Sequence, residues 1–142
     1  MLTDTQLLNH ILQTCSMGHD SIDSILKYAS CKPLRQALQQ QKAEYGEMSL
    51  TATNMLKNRG AQPEPHPMSS RMAISMSKAM HTFSPPSTSK IAEEMISGNT
   101  KGVIKSIQHH RRYIGKDERI TDLSKKLLET EQRNIEQMKP FL

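Results

Sequence analysis

LLNHILQTCSMGHDSIDSILKYASCKPLRQALQQ, residues 7–40, reads as one long amphipathic helix, a break, and the start of a second. Leu8, Ile11, Leu12, Cys15, Ile22, Leu26 and Ala29 recur at the three- and four-residue spacing that places side chains on one helical face. Thr3 followed by Gln6 fits a capping box, so helix 1 is expected over about Asp4 to Ser30. Pro33 cannot continue a helix but is pre-shaped for the first turn of the next. A link this short folds the second helix back against the first.

Working outward, helix 2 is expected over about 33–59 on Leu34, Ala37, Leu38, Gln41, Tyr45, Met48, Ala52, Met55 and Leu56. Gly60 and Pro63 end it. Residues 61–88 form a crossover. AQPEPHP and TFSPPSTS are Pro-rich linkers, and SSRMAISMSKAMH between them predicts a short helix at about 70–81. Helix 3 should cover about 89–114, stopping at Gly115, and helix 4 about 117–139, stopping at Pro140. Helices of 22–27 residues are about 33–40 Å long. The expected fold is therefore all-α, a single domain over residues 1–142 built as an antiparallel four-helix bundle with one long crossover.

Composition agrees with helices. Apolar residues make up 35% of the chain, with three Tyr, two Phe and no Trp, so Leu, Ile, Met and Ala must fill the core. No apolar run reaches the roughly 20 residues needed to cross a bilayer. The N-terminus carries Asp4 and no basic leader, and the two cysteines make no disulfide framework, so a cytoplasmic location is expected. Cys15 and Cys31 would lie about 24 Å apart along an intact helix, too far to pair. Cys15 reads as core filler and Cys31, at the turn, as the more accessible thiol.

The net charge of +5 is densest around Lys101, Lys105, His109, His110, Arg111, Arg112 and Lys116. This patch could meet nucleic acid or an acidic partner, but no aromatic or Gly-rich binding motif accompanies it. Cations ending a helix also complement its dipole, which is the reading preferred here. Met68, Met72, Met76 and Met80, with His66 and His81 at the ends, repeat every four residues along the crossover. Thioethers suit Cu(I), but the preferred reading is an apolar stripe gluing the crossover to the bundle, because an amphipathic helix needs an apolar edge and Met fills irregular grooves.

Projected at 100° per residue, each helix turns polar residues inward. These are His19 on helix 1, Glu44 at the edge of helix 2, Asn99, Ser106 and His110 on helix 3, and Glu131 and Asn134 on helix 4. Buried polar groups need partners, so His19, Glu44, Asn99, Glu131 and Asn134 are expected to form one network. Gly18-His19 and Gly98-Asn99 echo one another weakly.

Together, LLNHILQTCSMGHDSIDSIL (7–26), YGEMSLTATNMLKNRGAQP (45–63) and IAEEMISGNTKGVIKSIQHH (91–110) give the chain a rhythm that resembles the ferritin-like superfamily, in particular its small bacterial bundles of unknown function. Di-metal members of such folds use one Glu from each of two helices and a Glu-x-x-His from each of the others. What the resemblance implies here is a degenerate set: His19 for the helix 1 Glu, Glu44-x-x-Glu47 on helix 2, Asn99 for the helix 3 Glu, and Glu131-x-x-Asn134 on helix 4. Replacing bridging carboxylates by His and Asn removes the charge that offsets two cations. The expectation is a non-catalytic bundle without a cofactor, acting as an interaction or assembly protein and forming a homodimer. The alternative is a metal-binding protein or oxidoreductase with a single Zn or Fe ion held by His19, Glu44, Glu131 and His110.

Overall fold

The first helix begins where Thr3 accepts the Gln6 amide and Gln6 returns a hydrogen bond to the Thr3 amide, the reciprocal cap that the sequence predicts. The computed structural model describes residues 1–64 and 85–142. Within them lie α1 (Asp4–Leu26), α2 (Lys32–Asn58), α3 (Thr88–Arg112) and α4 (Glu118–Met138), followed by a 3-10 turn at Lys139–Phe141. The fold is all-α and, among the described residues, holds no strand; Leu2 and Tyr113 form one isolated parallel bridge. The expected crossover helix with its four methionines lies outside the described residues.

Two helix ends differ from expectation for local reasons. Helix α1 stops at Leu26, four residues early, because the Arg35 guanidinium donates to the carbonyls of Leu26 and Ala29 and satisfies the end of the helix there. Helix α3 stops at Arg112 because Tyr113 turns extended. The Leu2 amide donates to the Arg112 carbonyl at 2.7 Å and the Ile114 amide to the Leu2 carbonyl at 3.1 Å.

Helices α1 and α2 pair as one hairpin and α3 and α4 as another. The direction of each rod follows from its partners. Arg59, capping the C-terminus of α2, forms an ion pair with Asp117, which caps the N-terminus of α4, and lies 3.9 Å from Asp4 in the first turn of α1. Tyr113, just past α3, donates to the Asp4 carboxylate at 2.6 Å. The start of α1, the end of α2, the end of α3 and the start of α4 thus share one end of the bundle. The link from α2 to α3 must return the chain to the opposite end, which is the one-crossover connectivity of ferritin-like bundles.

The core is aliphatic and threads all four helices through Leu8, Cys15, Ile22, Leu38, Met48, Leu56, Ile91, Ile120 and Met138. Gln41 is an exception: fully buried, it bridges to α4 by donating from Nε2 to the side-chain Oε1 of Gln137 at 2.9 Å.

Candidate functional site

Halfway along the bundle the aliphatic core gives way to polar residues. On α2 the Tyr45 hydroxyl donates to Asn99 Oδ1 on α3 at 2.8 Å, and Asn99 Nδ2 donates to the Met95 carbonyl one turn back at 2.9 Å. On α3 the Ser106 hydroxyl donates to Glu131 Oε2 on α4 at 2.9 Å. Asn134, one turn beyond Glu131, is fully buried, and its amide has no hydrogen-bond partner of ordinary geometry among the described residues, although it sits near enough to the Tyr45 phenol to favour ionisation slightly.

Two glycines make room for this layer. A Cβ at Gly102 would stand 2.3 Å from Glu131 Oε1, and one at Gly18 would stand 2.6 Å from the Tyr45 ring. The carboxyl and the phenol occupy space that any side chain at these positions would claim.

Burial dominates the electrostatics. It pushes the Glu131 carboxyl up from 4.5 to about 7, against the smaller pull of the Ser106 hydrogen bond. The Tyr45 phenol is driven far above its ordinary range, by burial first and by the nearby Glu131 second. The Cys15 thiol is raised by the same two causes and is a packing group, not a nucleophile.

Between α1 and α3 the packing is open. A groove of about 600 Å³ runs there, with Tyr45, Asn99 and Glu131 contributing to its lining from within. Met17, Met95 and Ile104 supply apolar wall, Lys101 and Lys105 stand at the rim, and Gly18, Gly98 and Gly102 keep the passage wide. At one end the His10 and His109 rings stack with centroids 4.0 Å apart. His109 is lowered from 6.5 to about 4, chiefly by burial and then by the positive field of His10, Arg112 and Lys105.

The residues expected to share one network separate into two groups. Asn99, Glu131 and Asn134 point inward. His19 and Glu44 do not. The His19 side chain is 39% exposed and its Nδ1 lies 3.3 Å from Asp20 Oδ1, at the surface. Glu44 faces outward, accepting from Gln40 and pairing with Arg133 at 3.2 Å. His110 is half-buried against α4, its Nδ1 3.0 Å from the Ser124 hydroxyl. His19, Glu44, Glu131 and His110 therefore do not converge. Among the described residues no three His, Cys, Asp or Glu side chains approach closely enough to hold an ion together. A metal pair does not fit the interior layer, where a single carboxyl stands among a phenol, two amides and a hydroxyl.

Of the basic cluster, Lys101, Lys105, Arg111, Arg112 and Lys116 are exposed, while His109 turns to His10 and His110 to Ser124. His109, His110, Arg111 and Arg112 form the last turn of α3, where positive charge meets the negative pole of the helix. Sequence reasoning missed Gly18 and Gly102 as parts of the site. The available signal was glycine inside a helical pattern, which marks a close approach.

No protein-family profile matches the chain, and no curated protein matches it. The fold is similar to that of the crystal structure of a DUF305 fragment from Deinococcus radiodurans, with a TM-score of 0.75 over 96% of this chain and 93% of that one. At 18% identity the likeness shows the helical fold. Among the described residues no helix is long and apolar enough to cross a membrane.

Proposed function

We propose that this chain is a ferritin-like bundle without di-metal chemistry that works as a non-catalytic binding protein, holding a small molecule in the groove between α1 and α3. The observation that carries the reading is the groove itself. Its volume of about 600 Å³ suits a compact organic ligand, and its lining combines apolar wall with a few convergent polar groups. The one-carboxyl interior supports the non-catalytic part, because oxidative di-metal chemistry needs several charged ligands.

A fragment screen by protein-observed NMR, run in parallel on Gly98→Leu, tests it. Gly98 lines the groove and a Cβ there meets nothing within 4 Å, so leucine would fill the space without disturbing the fold. Fragments should shift resonances of α1 and α3 in the native chain and not in the variant. Stoichiometric iron uptake with ferroxidase turnover would overturn the reading.

Self-association is the second reading, and one observation favours it. Ile104, Ile107 and Ile114 are 52%, 36% and 56% exposed along and just beyond α3. Isolated exposed isoleucines are ordinary, but Ile104 and Ile107 lie three residues apart on one face of α3, an apolar edge of the kind that symmetric dimers cover. Light scattering on the native chain and on Ile107→Glu tests it: a dimer converted to monomer supports this reading, and a native monomer removes it.

A further inference from the structure

We propose that the groove accepts an organic monoamine with a compact apolar body, its ammonium seated against the Glu131 carboxylate. This rests on the groove being a binding site and adds the chemistry of what it binds.

Hydrogen-bond accounting in the groove gives the direction. The Tyr45 hydroxyl spends its proton on Asn99, the Ser106 hydroxyl spends its proton on Glu131, and Asn99 gives an N–H to the Met95 carbonyl. What these residues leave for a ligand is chiefly the lone pairs of Glu131 Oε1. That oxygen stands over Gly102, where a side chain would have shielded it. An ammonium brings three donors and no acceptor, and it matches such a floor better than a hydroxyl or a carboxylate does.

Charge points the same way. Among the described residues no cationic side chain pairs with Glu131; its acidity responds to burial and to Ser106 alone. A buried carboxyl without a counter-ion is the group that gains most from a ligand carrying one, because charge-assisted hydrogen bonds are strong where water is excluded. Lys101 and Lys105 line the mouth but are exposed, so water and salt screen them far more than they screen a contact at the floor. They disfavour polyamines, whose further charges would sit beside them, and the other carboxylate of the lining, Glu94, is already paired with Lys90 at 3.0 Å. Met17, Met95 and Ile104 offer the walls to an apolar body.

Titration calorimetry with 2-phenylethylamine, the equally shaped 2-phenylethanol and phenylacetate tests the proposal on the native chain, Glu131→Gln and Gly98→Leu. At pH 8 the amine should bind at least about tenfold more tightly than the alcohol, the span a charged over a neutral hydrogen bond supplies. Glu131→Gln should abolish that preference, and Gly98→Leu should bind none of the three.

Should Glu131→Gln fail to fold, lowering the pH on the native chain replaces it. Amine affinity should fall more than about tenfold between pH 8 and 5.5 as protons compete for the carboxylate, while alcohol affinity holds. Cys15 of α1 and Tyr45 of α2, which face Glu131, stay protonated throughout because burial raises both. Lys101 and Lys105 of α3 are exposed at the mouth, away from the floor, and burial keeps His109 neutral over this range. The remaining histidine of the groove, His10, is controlled by His10→Gln, which should keep the pH response.

Equal binding of amine and alcohol would overturn the amine assignment while leaving the groove a binding site. Binding of none of the probes, or binding indifferent to Gly98→Leu, would overturn both.

Discussion

Glu131 and His109 set opposite responses of stability to pH, and the signs follow from where each holds its proton. Glu131 titrates near 7 when folded and near 4.5 when its environment is lost. Between those values the folded state keeps a proton that the unfolded chain has released, so stability falls as pH rises through this window and the full deficit is present above 7. A shift of this size corresponds to about 3 kcal/mol at most. Glu131→Gln should therefore gain on the native chain as pH rises from 5 to 8; urea unfolding at both values measures the difference, and a constant difference would refute the buried, protonated carboxyl. His109 is lowered from 6.5 to about 4, so its contribution is complete above 6.5 and is lost as pH falls toward 4, when the unfolded chain takes up a proton that the stacked ring refuses. His109→Gln should accordingly flatten the acid side of a plot of thermal midpoint against pH. At this scale the sequence was legible for Asn99, Glu131 and Asn134, which lie squarely on their apolar faces. It misled for His19, which lies between Cys15 and Ile22 on the helical projection yet reaches water. The facing residue on α2 is Gly46, whose Cβ, if present, would lie 3.8 Å from the imidazole. The ring crosses over this bare backbone to Asp20 at the surface, and a projection of one helix carries no information about the residue opposite.

Helix α3 carries two glycines, Gly98 and Gly102, whose roles differ by what lies opposite them, and this turns one substitution into a contrast. Gly98→Ala meets open groove, so the gain in helix propensity should appear undiminished as about 0.5–1 kcal/mol of added stability. Gly102→Ala drives a methyl into the Glu131 carboxyl, and overpacking of this kind costs about 1–3 kcal/mol, enough to outweigh the same propensity gain. Thermal or urea unfolding of the two variants should move in opposite directions; a shared direction would mean that the carboxyl yields freely and the interior layer is loosely held. The existence and order of the helices were legible because periodic apolar residues, Pro33, Gly60 and Gly115 mark them without reference to the rest of the fold. Their ends were less so. Helix α1 ends where Arg35, nine residues past Leu26, reaches back to its carbonyls, and α3 ends where Leu2 claims its last backbone groups. Both are tertiary contacts, and local pattern does not encode them. The echo between Gly18-His19 and Gly98-Asn99 has a spatial counterpart, since Gly18 and Gly98 both line the groove, one from each wall.

The connectivity of the whole molecule depends on one polar junction, where Asp4, Arg59, Tyr113 and Asp117 bring together a terminus from each of the four helices. Two short loops could pair the helices as hairpins without fixing how one hairpin lies on the other. Arg59 supplies that constraint by reaching from the end of α2 to the N-cap of α4 and the first turn of α1. Tyr113 adds the end of α3 through its bond to Asp4, and the Asp117 amide in turn donates to the Tyr113 hydroxyl at 3.4 Å. The carboxylates also lie at the starts of α1 and α4, where helix dipoles favour negative charge, so the guanidinium joins groups already suited to their places. Arg59→Ala should lower the thermal midpoint and, because the junction links both hairpins, should raise hydrogen exchange at the amides of Leu2 and Ile114 on the far side of it. Asp117→Ala in the same background should add less than it does alone, since the pair it breaks is already gone. Simple additivity, with the Leu2 and Ile114 amides unmoved, would mean that the hairpins are held together by their aliphatic core alone and that the junction merely decorates one end of the bundle.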